Sequence, residues 1–196
     1  MFIKICGLTS SDATQAAVGA GADAVGFVFA ESPRRVTPDW AAQLCRDFPG
    51  NLIRVAVMRH PTAAEWQAVR DGFAPDWLQA DAEDFPALEL PAGCEPLPVY
   101  RNAQMAPVTP PRRILFEGCE SGRGELADWR EATAIAAETQ MILAGGLDAD
   151  NVTDAIQAVD PWGVDVSSGV ESGRGKKDPK RIEQFIARVR AAERPQ

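Results

Sequence analysis

Histidine is nearly missing from this 196-residue sequence, which has a single one, His60. Its four cysteines, Cys6, Cys45, Cys94 and Cys119, stand far apart with no C-x-x-C pair. The usual spacing of a zinc site is therefore absent, and reduced thiols are the simplest expectation. No apolar run approaches the ~18 residues needed to span a bilayer, and the opening Met1 to Leu8 segment enters patterned sequence without the layout of a signal peptide. The expectation is a cytoplasmic protein with no membrane partner. Positive charge is also in short supply, 20 Lys and Arg against 28 Asp and Glu for a formal net charge of −8. Nucleic-acid and anionic-membrane surfaces need a basic patch to neutralise phosphate, so neither partner class is expected. An anionic ligand would have to be held by a few local cations and backbone N–H groups. There is no linker or low-complexity stretch, and the Gly-rich phosphate fingerprint of a doubly wound sheet does not follow the first strand.

What is present is alternation. With 45% hydrophobic and 24% charged residues, the chain can bury one sizeable core, and one domain over residues 1–196 is expected. Eight short apolar, β-branched-rich runs are countable: Phe2–Cys6, Ala24–Phe29, Leu52–Met58, Trp77–Ala80, Leu97–Arg101, Ile114–Glu117, Met141–Ala144 and Val164–Ser168. Most gaps between them have room for a helix, as alternating β/α architecture requires. Ser11–Ala20 is Ala-rich, Thr37 and Pro38 form an N-cap and first position for a helix over Pro38–Arg46, and Asp178-Pro179 repeats that signature. Beyond it, Ile182, Phe185, Ile186 and Val189 recur at helical spacing. The interval Asn102–Arg112 contains Pro107, Pro110 and Pro111, which leave no room for a helix. Eight near-regular units favour closure into a single (β/α)8 TIM barrel at the short end of the ~200 to 400 residues typical of that fold, with the fifth helix reduced to a loop.

In such a barrel the site lies at the C-terminal ends of the strands, so polar residues ending each run are the candidates. Lys4 and Cys6 are two apart and share one face of the first strand. An ammonium beside the thiol would lower its pKa and supply thiolate, making Cys6 a candidate base; the competing reading is a small buried hydrophobe. Lys4 could equally be structural, paired with Asp165 where the first and last strands meet. Gly145-Gly146 and Ser167-Ser168-Gly169 follow the seventh and eighth strands, where barrels collect a phosphate on backbone N–H groups; two tight turns are the alternative. Arg34 offers a fork for a planar carboxylate, whereas Arg35 reads as a solvated charge. His60 reads as an exposed bystander.

Several blocks carry a resemblance. Lys4-Ile5-Cys6-Gly7-Leu8-Thr9, Gly21 to Phe29 followed by Ser32-Pro33-Arg34, Ala144-Gly145-Gly146-Leu147 with Asn151-Val152, and Val164 to Glu171 with Lys177-Asp178 occur in the order seen in the phosphoribosylanthranilate isomerases of tryptophan biosynthesis. The sequence is similar to that family from residue 4 to residue 178. The resemblance implies an Amadori rearrangement of a phosphorylated small-molecule substrate without metal or organic cofactor, in a monomer or homodimer. It implies Cys6 as general base, Arg34 at the anthranilate carboxylate, and phosphate on Gly145, Gly146, Ser167, Ser168 and Gly169. Where the family has an aspartate as general acid at the end of the sixth strand, this sequence has Glu117, longer by one methylene or roughly 1.5 Å, an offset that can cost on the order of 10²-fold. The loop Gly118 to Gly124 is shorter than the family's, and Ser121 replaces the first glycine of its G-G-[ST]-G segment. In the fourth strand Leu78-Gln79-Ala80-Asp81 replaces V-Q-L-H-G: Gln79 is retained, and Asp81 is an alternative acid, an orienting group or a helix N-cap. The related sugar isomerase of histidine biosynthesis ordinarily has aspartate at the first strand, which Cys6 contradicts. A paralogue that grips phosphate without turnover is the other reading, and Glu117 and Asp81 are its support.

Overall fold

Side chains alternate across each strand, so strand register decides which residues enter a barrel and which meet the helices around it. A computed structural model describes residues 1–48, 50–101, 111–118 and 127–193. Eight parallel strands, β1 (Phe2–Cys6), β2 (Ala24–Val28), β3 (Ile53–Val57), β4 (Trp77–Asp81), β5 (Glu95–Arg101), β6 (Arg113–Glu117), β7 (Gln140–Leu143) and β8 (Gly163–Val166), close in chain order. The seam pairs Phe2 with Gly163 and Lys4 with Asp165.

Helices α1 (Ser11–Gly19), α2 (Pro38–Leu44), α3 (Ala63–Phe73), α4 (Trp129–Ala136), α5 (Val152–Val159) and α6 (Pro179–Ala192) connect the strands. Their starts have chemical causes. Thr37 accepts from the Trp40 amide, Asp178 accepts from Lys180 and Arg181, and Thr62 forms a capping box with Glu65, each satisfying amide donors that the first turn leaves open. Residues 102–110, where the loop in place of the fifth helix is expected, lie outside the described residues. A reduced element does follow β4, the 3₁₀ turn Ala82–Ala87, whose Pro86 lacks the N–H an α-helix needs. The sequence reading did not anticipate it. A short antiparallel hairpin, β9 (Glu171–Gly173) with β10 (Lys176–Lys177), follows β8.

Ile3, Ile5, Val25, Phe27, Ala56 and Leu78 point outward into the layer under the helices, where Ile182, Phe185, Ile186 and Val189 of α6 are buried. Inside the barrel Ala24, Val55, Leu97, Val99, Leu115 and Ile142 fill the middle. Phe2 stacks on Trp77 and Trp162 at centroid distances of 5.3 and 4.7 Å, the Arg113 guanidinium lies 3.9 Å from the Trp77 ring centre, and Glu95 pairs with Arg113 at 2.8 Å. The foot of the barrel is thus plugged, and polar inward positions are left at the mouth. No helix among the described residues is long and apolar enough to cross a membrane.

Candidate active site

The inward parity that places Phe2 in the floor also places Lys4 and Cys6 above it. Lys4 is fully buried and its Nζ donates to Asp165 Oδ1 at 2.7 Å across the seam. The same ammonium lies against the Cys6 sulfur: a Cβ at Gly26 on the neighbouring strand would come within 3.2 Å of both atoms. The sequence argument expects this ammonium to lower the Cys6 pKa. Burial instead pushes the thiol up, and the Lys4 and Lys177 charges only partly offset it. The resting sulfur is a thiol because desolvation penalises an anion more than two cations, one already committed to Asp165, can repay.

Cys6, Arg34, Gln79, Asp81, Glu117 and Asp165 all face one cavity of about 190 Å³ at the barrel mouth. A niche beside it, sharing Glu117 and Asp165, is lined by Gly145, Gly146, Ser167 and Ser168. Gly145 and Gly146 have φ of +88° and +64°, left-handed conformations that a side chain would strain. Asn151 Nδ2 donates to the Gly146 carbonyl at 2.8 Å and fixes the turn. Gly169 does not line the niche; a Cβ there would overlap the Leu147 carbonyl oxygen, so this glycine lets the loops after β7 and β8 pack together.

Three expectations change. The Arg34 fork is already occupied, with Nε and Nη2 donating to Glu171 Oε1 and Oε2 at 2.6 and 3.0 Å, which leaves Nη1 outside that pair. Glu171 also accepts from Lys177 at 2.6 Å, and Lys177 Nζ in turn donates to the Ser167 carbonyl at 3.0 Å. Asp81 occupies the N-cap position of the 3₁₀ turn but makes no cap hydrogen bond. Its Oδ1 instead meets Arg101 Nη2 at 2.6 Å, because a guanidinium outcompetes a backbone amide for a buried carboxylate. His60 is exposed but not idle: its Nδ1 is 2.9 Å from Asp84 and its Nε2 is 3.3 Å from Asp81. The segment 119–126, including Cys119 and Ser121 to Glu125, lies outside the described residues.

Sequence reasoning missed Arg101 and Glu171. Arg101 ends the fifth apolar run, and the rule that selected the other strand-end residues would have selected it. Glu171 had no such signal, since its partners come from distant loops. His60, Asp81 and Glu83 bring ligand atoms within 4.8 Å of one another, but Arg101 holds Asp81 and Arg59 lies 3.9 Å from it, so two guanidiniums oppose a cation there. A larger cavity of about 390 Å³ opens between the loops after β2 and β3 and helix α3, sharing Met58 and Arg59 with the first. Its lining has no cysteine, and its one carboxylate, Glu65, is taken up by the Thr62 capping box, so the smaller cavity is the candidate chemical centre.

Comparison with known proteins identifies the family. A family model described as N-(5'phosphoribosyl)anthranilate (PRA) isomerase matches residues 3–188. The N-(5'-phosphoribosyl)anthranilate isomerase of Listeria welshimeri is 38% identical over 98% of this chain and 100% of its own. The crystal structure of phosphoribosyl anthranilate isomerase from Thermus thermophilus superposes with a TM-score of 0.85 at 26% identity, covering 98% of this chain and 100% of that one. A second such isomerase, solved in complex with reduced 1-(o-carboxyphenylamino)-1-deoxyribulose 5-phosphate, superposes with a TM-score of 0.78 at 25% identity, over 97% of this chain and 99% of that one.

Proposed function

The chain belongs to the N-(5'-phosphoribosyl)anthranilate isomerase family, and we propose that it rearranges N-(5-phosphoribosyl)anthranilate to 1-(2-carboxyphenylamino)-1-deoxyribulose 5-phosphate with Cys6 as base and Glu117 as acid. The observation that carries this is the placement of a thiol beside an ammonium on β1 and a carboxyl on β6 around one cavity, with a glycine-lined niche adjoining it. An acid and a base in different surroundings are what the reaction needs.

The phosphate sits in the niche on the backbone of Gly145, Gly146, Ser167 and Ser168, and the anthranilate carboxylate meets Arg34. Glu117 gives its proton to the furanose ring oxygen; the C1–O bond breaks as the anilino nitrogen lone pair forms the C1=N bond of a Schiff base. Cys6, as thiolate, then removes the C2 proton, and the electron pair of that C–H bond forms C1=C2 while the C=N pair returns to nitrogen. The resulting enolamine tautomerises to the ketose. Lys4, against the sulfur and anchored by Asp165, stabilises the thiolate at the moment it is needed. Gln79 Oε1 is buried without a partner among the described residues, and an unpaired buried acceptor is a place for a substrate N–H or O–H. A cytoplasmic location goes with this reading.

Freshly made phosphoribosylanthranilate should lose its fluorescence when the purified protein is added. Cys6→Ser should keep the circular dichroism of the wild type and lose nearly all turnover, because an alcohol is too weak an acid to become a base at neutral pH. No fluorescence loss with the wild type rejects the activity, and an unchanged rate in Cys6→Ser removes Cys6 from the mechanism.

A further inference from the structure

One nitrogen joins the two carboxylates at the mouth. Arg101 Nη2 lies 2.6 Å from Asp81 Oδ1 and 3.1 Å from Glu117 Oε1. The register explains the reach: Arg101 is directly opposite Glu117 across the β5 and β6 ladder, and Asp81 is opposite Val99, the next inward residue below Arg101. Asp81, Arg101 and Glu117 are at most half-exposed at their side chains, at 7%, 15% and 12%. Arg101 is therefore held chiefly by Asp81, and Glu117 meets the same nitrogen at the longer distance.

We propose that Asp81 is a positioning residue that holds Arg101 to itself and thereby leaves Glu117 as the carboxyl that carries the proton for ring opening. This rests on the reading of Glu117 as the acid and adds the reason that a glutamate facing an arginine can serve as one. Among the described residues, other charged groups facing the trio are Arg59 and His60 on the loop after β3, Asp165 on β8, and Arg34 and Glu31 around the same cavity. His60 holds its proton more firmly than usual, chiefly through its hydrogen bond to Asp84, and adds positive charge on the Asp81 side.

A quantitative consequence follows from Cys6. Burial raises the thiol, while a carboxyl loses its proton far lower, so the productive pair of thiolate and protonated Glu117 is a minor tautomer of the singly protonated pair. The acidic limb of the kcat/KM profile then tracks Glu117, and the plateau height tracks the gap between Glu117 and Cys6. Lowering the Glu117 pKa by one unit should move that limb down one pH unit and lower the plateau tenfold.

The test is two-fold. Glu117 is followed by carbon NMR of its side-chain carboxyl during pH titration of the unliganded protein, and kcat/KM is measured against pH, in the wild type, Asp81→Asn, Asp81→Glu and His60→Gln. Asp81→Asn should move the Glu117 titration and the acidic limb downward together, with the plateau falling tenfold per unit. Asp81→Glu should restore both. In His60→Gln the acidic limb should persist, since it belongs to Glu117. A plateau loss in Asp81→Asn without movement of the Glu117 titration would reduce Asp81 to a structural role and overturn the proposal. So would collapse of Asp81→Asn alongside wild-type turnover in Glu117→Gln, which makes Asp81 the acid. The titration needs no substrate, so a wild type inert toward phosphoribosylanthranilate rejects the proposed activity separately from the hand-over of Arg101.

Discussion

At Gly26 the absence of a side chain is what makes room for the Cys6 thiol and the Lys4 ammonium. A Cβ there would stand 3.2 Å from Cys6 Sγ and 3.2 Å from Lys4 Nζ, closer than side-chain packing normally tolerates, with β2 backbone on one side and the floor of the barrel below. Gly26→Ala should therefore displace the sulfur by a few tenths of an ångström while the fold persists. Because a reacting group about 1 Å out of place can cost 10²-fold, kcat should fall by roughly ten- to a hundredfold with little change in KM. Steady-state kinetics beside a thermal melt checks this: equal losses of activity and of Tm would mean that the methyl disrupts the barrel rather than the base. At Glu117 the side chain is instead long enough for its carboxylate to meet Arg101 at 3.1 Å.

Among the elements, the hairpin β9 and β10 is the one whose contents serve the site from outside the barrel. Glu171, its first residue, accepts from Arg34, from Lys177 and from the Gly175 amide, so one carboxylate sets the direction of Arg34 at the cavity and of the lysine behind Ser167. Burial alone would raise its pKa, but the hydrogen bonds from Arg34 and Lys177 outweigh that and push it down to about 2, from an ordinary value of 4.5. A folded-state pKa below the unfolded one means that the carboxylate stabilises the native state fully above the unfolded value. That contribution is lost as pH falls from about 4.5 toward 2. Urea midpoints measured between pH 6 and pH 2.5, limits set on the order of that window, should fall for the wild type and fall less steeply for Glu171→Gln. The variant should be the weaker protein at neutral pH, where Arg34 and Lys177 face an amide. Parallel curves for the two proteins would show that Glu171 does not carry the acid sensitivity.

For the molecule as a whole, closure is the event on which the site depends, and its packing is concentrated at the foot. Trp77 is 5% exposed, stacks on Phe2 and lies under the Arg113 guanidinium. Trp77→Ala removes a large ring from among residues of β1, β6 and the loop before β8, and should cost ~3 to 5 kcal/mol by the cavity it leaves. Chemical denaturation measures it, and a cost below ~1 kcal/mol would mean that the plug is not where the barrel is held. The eight strands, the caps at Thr37 and Asp178 and the buried face of α6 were legible because each depends on alternation, helical spacing or a local donor and acceptor. The position of Cys6 at the mouth and the two loops after β7 and β8 were legible because strand ends and glycines mark them in order along the chain. The occupied fork of Arg34, the Asp81 to Arg101 pairing and the raised Cys6 thiol were not legible. Glu171 is 137 residues from Arg34, and no local pattern links them. The sequence by itself determined the architecture and the chemical groups at the mouth, because those follow from interactions between near neighbours and from the period of the strands. Only the tertiary structure decided which carboxylate each cation serves and how far desolvation outweighs charge. Both depend on distances between strands and loops that closure alone brings together.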